Sequence, residues 1–467
     1  MTDVRTDTRQ AGVLRDPAET AGTGPAPVEA IDLTDLAGGP GTDMLAPYDA
    51  VLLLSYGGPT GPDAVLPFMR NATAGRGVPD SRLLEVSGHY QRFGGASPIN
   101  ERNAELLEAL RAELARRGSS VPVVVGNRNW HPFVSQALRE LADAGARRIL
   151  ALTTSAYGSY SGCRQYREDL SAALGQLESG TDGATGQGPE ADAAARVGGR
   201  GGAPLGAQAP VVDKARPYYN TPGMLEANTE AIATAYRRLA DQGVAAQDIR
   251  LLFVTHSIPV PMEEGSAPRP GRAVEPGGPG PLDPGVSPDL STEISYVAQH
   301  EALIEAILPR VVERLGLDRR PEHELVYCSR SGPPQARWLE PDINDRLEAI
   351  ADQAPRGRAP GVVVAPIGFV SDHMEVLFDL DTEARETAEA LGMPYARAAT
   401  AGTHPAFVSS LVDVLAERAA AARGESVHPE STTGLGPFHT VCPPECCRPS
   451  AGQGGHPGHG HGGGPRS

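Results

Sequence analysis

Short apolar runs rich in branched side chains alternate with helical patterns along most of the chain, and this alternation limits the fold more than any other feature. Runs with the length and composition of buried strands occur at 50–55, 121–125, 149–152, 249–254, 325–327 and 362–367. Strands separated by helices of this size form parallel sheets with right-handed crossovers. The sequence therefore predicts an α/β protein made of two doubly wound domains that face a common cleft.

Glycine and proline are unevenly distributed and mark the borders of the folded part. The chain of 467 residues contains 55 Gly and 43 Pro, which concentrate at 1–47, 178–209, 265–287 and 425–467. Such segments bury too little apolar surface to offset the entropy of ordering, so we expect disordered tails and insertions there. The folded domains are then 48–216 and 217–424, with a last helix at 405–422 placed to pack back on the first domain.

The acidic charge and the lack of long apolar runs argue against two classes of partner. A formal net charge of −17 argues against nucleic acid, and no uncharged apolar run is long enough to cross a bilayer. The N-terminal segment MTDVRTDTRQAGVLRD has no apolar core of a signal peptide. We expect a cytoplasmic protein without integral membrane contact. Five cysteines do not make a disulfide framework, and a cysteine cluster in a reducing compartment is more typical of a metal site.

Three carboxylates recur every four residues in the segment GFVSDHMEVLFDLDTE, at 368–383. Glu375, Asp379 and Glu383 would form a ladder along one helix face, and a locally wider turn would straighten it. The segment follows a predicted strand, and Ser371 is placed to cap its helix. Because ligands of open α/β sheets bind at the carboxyl ends of strands, the ladder indicates a metal path or an acid/base relay. Taken alone, such spacing is more often a solvated acidic face.

Polar side chains follow other predicted strands and would surround the same crevice. Tyr56 follows the first strand, Ser97 is placed to cap a later helix, and His256 follows the strand at 249–254. A neutral imidazole can accept a proton or bind a metal near neutral pH, although a single His or Tyr at a strand end more often has a structural role. The strand-to-helix turns contain no phosphate-binding glycine motif, so nucleotide chemistry is not indicated.

Several separate motifs, in order along the chain, carry a resemblance to a known family. They are LLLSYGGPTGPDAVLPFMRN, HYQRFGGASPIN, GNRNWHP, FVTHSIP, CSRSGPPQARWLEPDIND and GFVSDHMEVLFDLDTEA. Together they resemble the ferrochelatases, the enzymes that insert Fe2+ into a porphyrin, and the resemblance spans residues 48 to 420 apart from the two insertions. It implies the chelatase fold, in which two Rossmann-like halves with parallel sheets enclose a porphyrin cleft.

The resemblance gives roles to the residues already singled out. His256 and Glu375 match the facing pair that the family uses for metal delivery and removal of pyrrole protons. Asp379 and Glu383 match an outer metal route, and Tyr56 matches a residue that approaches the metal from the other face of the macrocycle. Positions that hold substrate propionates or line the pocket in soluble bacterial members correspond to Arg76, Tyr90, Ser97 and Ser161.

The cysteines divide into a cluster and isolated residues. Cys442, Cys446 and Cys447 form a C-x3-C-C pattern, and some ferrochelatases resemble this arrangement in holding a [2Fe–2S] cluster with three such cysteines and one at the position of Cys163. Four thiolates also suit zinc, and the spacing does not separate the two metals. An unliganded tail is a third interpretation. Cys328 is expected to be a small core residue.

The lip of the predicted cleft favours one porphyrin over another. Membrane-associated relatives that use protoporphyrin IX have an apolar lip, whereas PFMRNATAGRGVPDSR is polar and includes Arg70 and Arg76. The resemblance, together with a composition typical of high-GC Gram-positive organisms, implies coproporphyrin III and Fe2+ as substrates of a monomeric lyase. The coprohaem product would pass to a decarboxylating enzyme. Protoporphyrin IX ferrochelatase and a non-catalytic porphyrin- or haem-binding sensor are the alternatives.

Overall fold

Most of the two compositionally simple insertions and the chain ends lie outside the part of the protein that is described. The computed structural model describes residues 43–180, 209–266, 294–330, 336–355, 359–442 and 446–449. The expectation of disorder therefore falls, for the greater part, on segments outside the described residues. In the described ranges, no helix is both long enough and apolar enough to cross a membrane.

The first half of the protein is built on a four-stranded parallel sheet in the order β2-β1-β3-β4. Its strands are β1 (Ala50–Ser55), β2 (Val123–Asn127), β3 (Arg148–Thr153) and β4 (Val211–Lys214). Leu53 in the central strand lies opposite Val125 on one side and Leu152 on the other. All residues of β1 are buried, because helices cover both faces of the sheet. Each buried leucine contributes about 1.5–3 kcal/mol relative to exposure.

The second half repeats this arrangement with the order β6-β5-β7-β8, again entirely parallel. Its strands are β5 (Ile249–His256), β6 (His323–Cys328), β7 (Gly361–Ala365) and β8 (Tyr395–Arg397). Phe253 in the central strand lies opposite Leu325 and Ala365. The α/β class and the two parallel sheets predicted from the sequence are confirmed.

Helices connect the strands, and one of them shows how the sequence begins a helix. They are α1 (Val65–Ala72), α2 (Asp80–Arg92), α3 (Ile99–Arg116), α4 (Val134–Asp143), α5 (Gln165–Ser179), α6 (Pro222–Asp241), α7 (Val260–Gly265), α8 (Tyr296–Leu315), α9 (Ile343–Gln353), α10 (Arg385–Ala390) and α11 (Pro405–Ala422). A π-turn, Tyr160–Arg164, precedes α5, and a π-helix, Val376–Ala384, precedes α10. The Thr221 hydroxyl caps α6 by accepting the Met224 N–H, with Pro222 in the first turn.

The two halves share one hydrophobic core and are joined by specific polar contacts. A single buried cluster includes Leu53, Phe253 and Leu411. Helix α11 lies against both α3 and α6, which places the last helix in contact with each half. The Gln299 side chain of α8 accepts the Gly158 N–H at 2.7 Å and donates to the Gly158 carbonyl at 2.8 Å. These two hydrogen bonds join the first half at Gly158 to α8 of the second half.

Several boundaries differ from those predicted. The second strand is shifted by two residues from 121–125, and His256 is the last residue of β5 rather than a residue that follows the strand. Ser97 does not cap a helix: α3 begins at Ile99 with Pro98 in the cap position, and the Ser97 side chain packs against Gly58 instead. Ser371 is also not a cap, since the chain first forms a turn and the buried Ser371 hydroxyl has no hydrogen-bond partner among the described residues.

The predicted disorder of the C-terminal tail is wrong for its first part, 425–442. Phe438 is 1% exposed and lies edge-on to Tyr219 at 6.0 Å. The Asn220 side chain donates to the Gly436 carbonyl at 2.8 Å, and the Thr432 N–H donates to the Asn220 carbonyl at 2.9 Å. A few anchoring contacts thus order a segment whose composition is typical of disorder, and they direct the last cysteines toward the first half.

Candidate functional site

His256 and Glu375 approach each other because the chain after β7 passes across the end of β5. The Gly368 N–H donates to the Val254 carbonyl at 3.1 Å, and a Cβ at position 368 would lie 2.0 Å from the Thr255 hydroxyl oxygen. Glycine is needed for this close approach. The crossing directs the following segment toward the end of β5, where His256 Nε2 lies 3.8 Å from Glu375 Oε2.

The hydrogen bonds of His256 determine which ring nitrogen faces the cleft. Its Nδ1 lies 2.5 Å from the Ser257 carbonyl oxygen, which can only accept, so Nδ1 carries the ring proton. In the neutral imidazole, Nε2 then has a lone pair that faces Glu375. Burial lowers the pKa of His256, but the carboxylates of Glu375 and Asp379 outweigh it and raise that pKa above its ordinary value.

Glu375 lies between two imidazoles that keep it ionised. Burial acts to raise its pKa, but the interaction with His256, followed by that with His373, lowers the pKa of Glu375 to about 2. His373 Nδ1 lies 3.9 Å from Glu375 Oε2 and accepts the Glu375 backbone N–H at 3.2 Å. Burial lowers the pKa of His373. The site thus presents a carboxylate at neutral pH, with 44% of its side chain open to the cleft.

The predicted acidic ladder runs along the π-helix that follows Glu375. Turns of a π-helix are wider than α-helical turns, so a spacing of four residues drifts less around the axis. Val376, Leu380 and Ala384, also four apart, are all fully buried in the core of the second half. Glu375 and Asp379 are partly buried and Glu383 is exposed. The segment thus has the wider turn that straightens such a ladder, and the ladder leads to solvent.

Asp379, the middle carboxylate, has a hydrogen-bond donor of its own. The Ser329 hydroxyl donates to Asp379 Oδ2, and Ser329 follows β6 with a left-handed backbone φ of 63°. Burial, followed by repulsion from Glu375, raises the pKa of Asp379 to about 7. Burial also raises the pKa of Glu383. The ladder can therefore exchange a proton for a divalent cation near neutral pH.

Aromatic side chains from the first half face this group. Phe68 of α1 lies edge-on to Tyr56 at 6.2 Å and to Trp130 at 6.3 Å, and it is tilted against Tyr90 at 6.0 Å. Burial raises the pKa of Tyr56 and of Tyr90, and the charge of Glu375 raises both further. The charge of Glu375 therefore acts on both tyrosines.

Three arginines near this wall are used differently. Arg128 lies with its guanidinium carbon 5.8 Å from the Tyr56 ring centroid and forms a buried ion pair with Asp169. Arg70 of the polar lip pairs with Asp80 at 2.8 Å. Arg76 is exposed between α1 and α2, and its charge partly offsets the rise that burial causes in the pKa of Tyr56. Arg76 is thus an exposed cation of the lip whose charge reaches Tyr56.

The two predicted pocket serines lie in different turns. Ser97 is 8% exposed and packs so closely against Gly58 that a Cβ at position 58 would lie 2.6 Å from the Ser97 Cβ. Ser161 is partly buried in the π-turn before α5, and its hydroxyl donates to Met262 Sδ at 3.6 Å. Ser97 therefore supports the turn after β1, and Ser161 belongs to the connection between the two halves.

Four cysteines from two distant segments converge in one cluster. Cys163, Cys446 and Cys447 are at most 3% exposed and pack with the partly buried Cys442. The Cys446 and Cys447 sulfurs are 3.6 Å apart, and the neighbouring thiols, Cys442 first and then Cys447, lower the pKa of Cys163. Cys328 is 1% exposed in the core of the second half, as predicted.

The thiol cluster contains the donor atoms that a metal centre needs, but the sulfurs are not arranged around a common metal position. Within the described ranges, no set of three or more His, Cys, Asp or Glu side chains has the arrangement of a formed metal site. Four thiols nevertheless match the number and type of ligands that iron–sulfur clusters and zinc take. Their mutual contacts across more than half the chain require both the π-turn and the docked tail.

Two polar residues at these sites were missed in the sequence. His373 lies two positions before Glu375 in SDHMEV, and that proximity was the available signal. Burial acts to lower the pKa of Lys214, but the charges of Cys163 and Cys442 outweigh it and raise that pKa. Lys214 ends β4, a short strand that adjoins an insertion and was not predicted.

A cleft between two parallel sheets, with a histidine and a row of carboxylates on one wall and aromatic side chains on the other, defines a metal-handling α/β protein. The sequence model of the family described as Ferrochelatase matches residues 48–185 and 193–419. The chain belongs to the ferrochelatase family.

Relatives match over most of their length. A protein named coproporphyrin III ferrochelatase from Streptomyces coelicolor is 45% identical over 403 residues, which cover 86% of this chain and 94% of that protein. Its namesake from Streptomyces griseus is 44% identical over 406 residues, with the same coverage. A protein named ferrochelatase from Rhodopirellula baltica is 36% identical over 403 residues, again covering 86% and 94%.

Proposed function

We propose that this chain inserts Fe2+ into coproporphyrin III to give coprohaem. The observation that carries the proposal is the approach of His256 Nε2 to Glu375 Oε2, at 3.8 Å, in a cleft faced by aromatic side chains. The similarity to proteins named coproporphyrin III ferrochelatase supports the choice of porphyrin. The polar lip supports it too, because coproporphyrin III carries more carboxylates than protoporphyrin IX.

Metal insertion replaces two pyrrole N–H protons by one dication, so the site needs both a proton acceptor and a negative charge. His256 supplies the acceptor through Nε2, because Nδ1 is committed to the Ser257 carbonyl, and it takes the two protons in turn by passing the first to solvent before it accepts the second. Glu375, with a pKa lowered to about 2, supplies the charge that attracts Fe2+ and stabilises the imidazolium once the proton has moved. These two residues are the proposed catalytic pair.

The outer carboxylates are the proposed route for iron. Glu383 is exposed and Asp379 lies between it and Glu375 along the π-helix. Hydrated Fe2+ exchanges its waters for oxygen ligands in steps, and each rung offers one carboxylate. Because the pKa of Asp379 is about 7, arrival of a dication can release a proton there and leave Glu375 available for the final transfer.

The first half is proposed to hold the macrocycle. Tyr56 and Tyr90 offer ring faces and hydroxyls on the wall opposite the pair, and Arg76 can form a charge-assisted bond with a propionate. Ser97 and Ser161 would line the pocket near the turns that they occupy. The division into domains at 48–216 and 217–424, a monomeric state and transfer of coprohaem to a decarboxylating enzyme are parts of the same proposal.

The thiol cluster is proposed to hold a [2Fe–2S] centre through Cys163, Cys442, Cys446 and Cys447. Support comes from four thiols in mutual contact, three of them almost fully buried. When bound, the centre would supply one-electron redox chemistry. Anaerobically purified protein should be brown with iron and sulfide in equal amounts, and Cys163→Ser and Cys446→Ser should lose the colour. A colourless protein loaded with zinc would reject this assignment.

The choice of porphyrin is tested by comparing two substrates. Initial rates of anaerobic Fe2+ insertion into coproporphyrin III and protoporphyrin IX should give a kcat/KM at least about tenfold higher for coproporphyrin III, a difference near 1.4 kcal/mol. His256→Ala provides the inactive control for spontaneous metalation. A clear preference for protoporphyrin IX would contradict the proposal while leaving the assignment to the family intact.

A further inference from the structure

The short edge strand β8 holds the segment that carries Glu375 through two of its three residues. The Tyr395 hydroxyl donates to the Leu380 carbonyl of the π-helix at 2.7 Å. Arg397, two positions further along the strand and therefore on the same face, ends β8 with only 15% of its side chain exposed. The chemistry proposed for the catalytic pair assigns no role to either residue.

Arg397 forms ion pairs with two carboxylates that lie on either side of Glu375 in the sequence. Its Nη1 and Nη2 donate to the two oxygens of Asp372 at 3.2 and 3.0 Å, and its Nε donates to Asp381 Oδ1 at 2.6 Å. Asp372 precedes Glu375 by three positions, and Asp381 lies on the π-helix. A planar guanidinium suits such a fork, whereas an ammonium group is a point charge. One side chain thus ties the start of the segment to its middle.

The surroundings of Arg397 keep this fork in place. Its backbone is fixed on β7, because the Ala398 N–H donates to the Val364 carbonyl at 2.8 Å. The loop that follows β8 adds a second hold on the same carboxylate, since the Thr400 hydroxyl donates to Asp372 Oδ1 at 3.1 Å. The sheet therefore provides a firm base from which the chain around the catalytic carboxylate is held.

The ion pairs also divide the acidic residues of this segment into two groups. Five carboxylates lie within 372–383. Asp372 and Asp381 bond to Arg397, whereas the other three form the ladder. Asp379 and Asp381 are two residues apart, and residues at that spacing do not face each other on a helix. The guanidinium thus neutralises the two carboxylates that are not part of the ladder.

We propose that Arg397 is a positioning residue for iron insertion, which keeps Glu375 and Asp379 in line by holding Asp372 and Asp381. The inference deepens the proposed function and rests on it. A misplacement of about 1 Å at a reacting group can cost about 10²-fold in rate. Loss of the fork should therefore lower kcat, while the KM for coproporphyrin III should change little, because the side chains proposed to hold the macrocycle belong to the first half.

The experiment compares Arg397→Met, which removes both charge and fork, with Arg397→Lys, which keeps the charge alone. In anaerobic steady-state kinetics with Fe2+ and coproporphyrin III, we expect kcat to fall about 10- to 100-fold in R397M and at least about threefold in R397K. The KM for the porphyrin should stay within about threefold of the parental value in both variants. Thermal unfolding of each variant is recorded alongside.

Two further variants separate positioning from a general loss of stability. Asp372→Asn should also lower kcat, and its effect should not multiply with that of Arg397→Met in the double variant, because the two side chains act as one pair. Arg346→Gln is the matched control. Arg346 of α9 forms a partly buried ion pair with Glu324 near the start of β6, away from the carboxyl ends of the strands, and its kcat should stay near the parental value.

The outcomes distinguish this inference from the proposed function. Parental kcat in folded R397M and R397K would overturn the positioning role, and so would effects that multiply in the double variant or an equal loss in Arg346→Gln. If R397M does not fold, R397K and its combination with Asp372→Asn decide by the same criteria. In each case the parental protein still inserts iron and the proposed function stands. A parental protein that inserts no iron would overturn both.

Discussion

The two halves of the protein have the same sheet topology but carry different chemistry at the ends of their central strands. After β1 stands Tyr56, surrounded by Phe68 and Arg128, whereas β5 ends at His256, which faces Glu375. Aromatic faces and cations suit a flat, carboxylated ligand, while imidazole and carboxylates suit protons and a metal ion. This difference supports the proposed division, in which one half of a repeated scaffold holds the porphyrin and the other handles the metal.

The largest effect on activity is expected from removing the proposed catalytic pair of the second half. His256→Ala and Glu375→Gln should each lower kcat for iron insertion by about 10²–10⁴-fold, the usual contribution of a proton-transfer group. Steady-state kinetics under anaerobic conditions provides the measurement. Near-parental turnover in both variants would show that the second half does not supply the chemistry.

The outer rungs of the ladder should affect iron supply more than chemistry. Asp379→Asn combined with Glu383→Gln should raise the apparent KM for Fe2+ roughly tenfold while kcat changes by less than about threefold. Glu389→Gln, an exposed carboxylate on the next helix with 68% of its side chain open to solvent, is the matched control. A collapse of kcat at unchanged KM would refute the division between inner and outer carboxylates.

The pKa of Asp379 predicts a pH dependence of iron uptake. Because burial and then Glu375 raise that pKa to about 7, Asp379 is mostly protonated below pH 7 and becomes a metal-binding carboxylate above it. The apparent KM for Fe2+ should therefore fall as pH rises through about 7. In Asp379→Asn this inflection should disappear, and its persistence would assign the titration to another group.

A smaller effect is expected from the lip of the first half. Arg76→Ala should raise the KM for coproporphyrin III several-fold, up to about tenfold, because one charge-assisted contact contributes roughly 1 kcal/mol or more. Its KM for Fe2+ should not change. Arg70→Ala is the comparison, since Arg70 already pairs with Asp80. Equal effects of the two variants on the porphyrin KM would remove Arg76 from the binding surface.

Most of the fold could be predicted because its central strands are buried on both faces and read as continuous apolar runs. Two of the four edge strands were missed, because VVDK of β4 and YAR of β8 are short and partly polar. The docking of 425–442 was also missed, because it depends on Asn220 and Tyr219 rather than on the composition of the tail.

The candidate site could be anticipated where its residues follow strands. His256 and the ladder were predicted from their positions, but the π-helix that carries the ladder was not predicted. The contact between His373 and Glu375 and the bond of Ser329 to Asp379 depend on the path of the loops after β7 and β6. Local sequence carries no signal for the contact of Ser329 with Asp379, whereas the two-residue spacing of His373 and Glu375 was a signal for theirs.

In the proposed division of roles, the first half holds the porphyrin while the second half supplies the metal and proton chemistry. The most direct measurement is coproporphyrin III binding to Glu375→Gln, followed by porphyrin fluorescence in the absence of iron and compared with turnover of the same preparation. For Glu375→Gln we expect a dissociation constant for coproporphyrin III within about threefold of the parental value, together with a kcat reduced by at least about 10²-fold. Loss of porphyrin binding in parallel with turnover would contradict it.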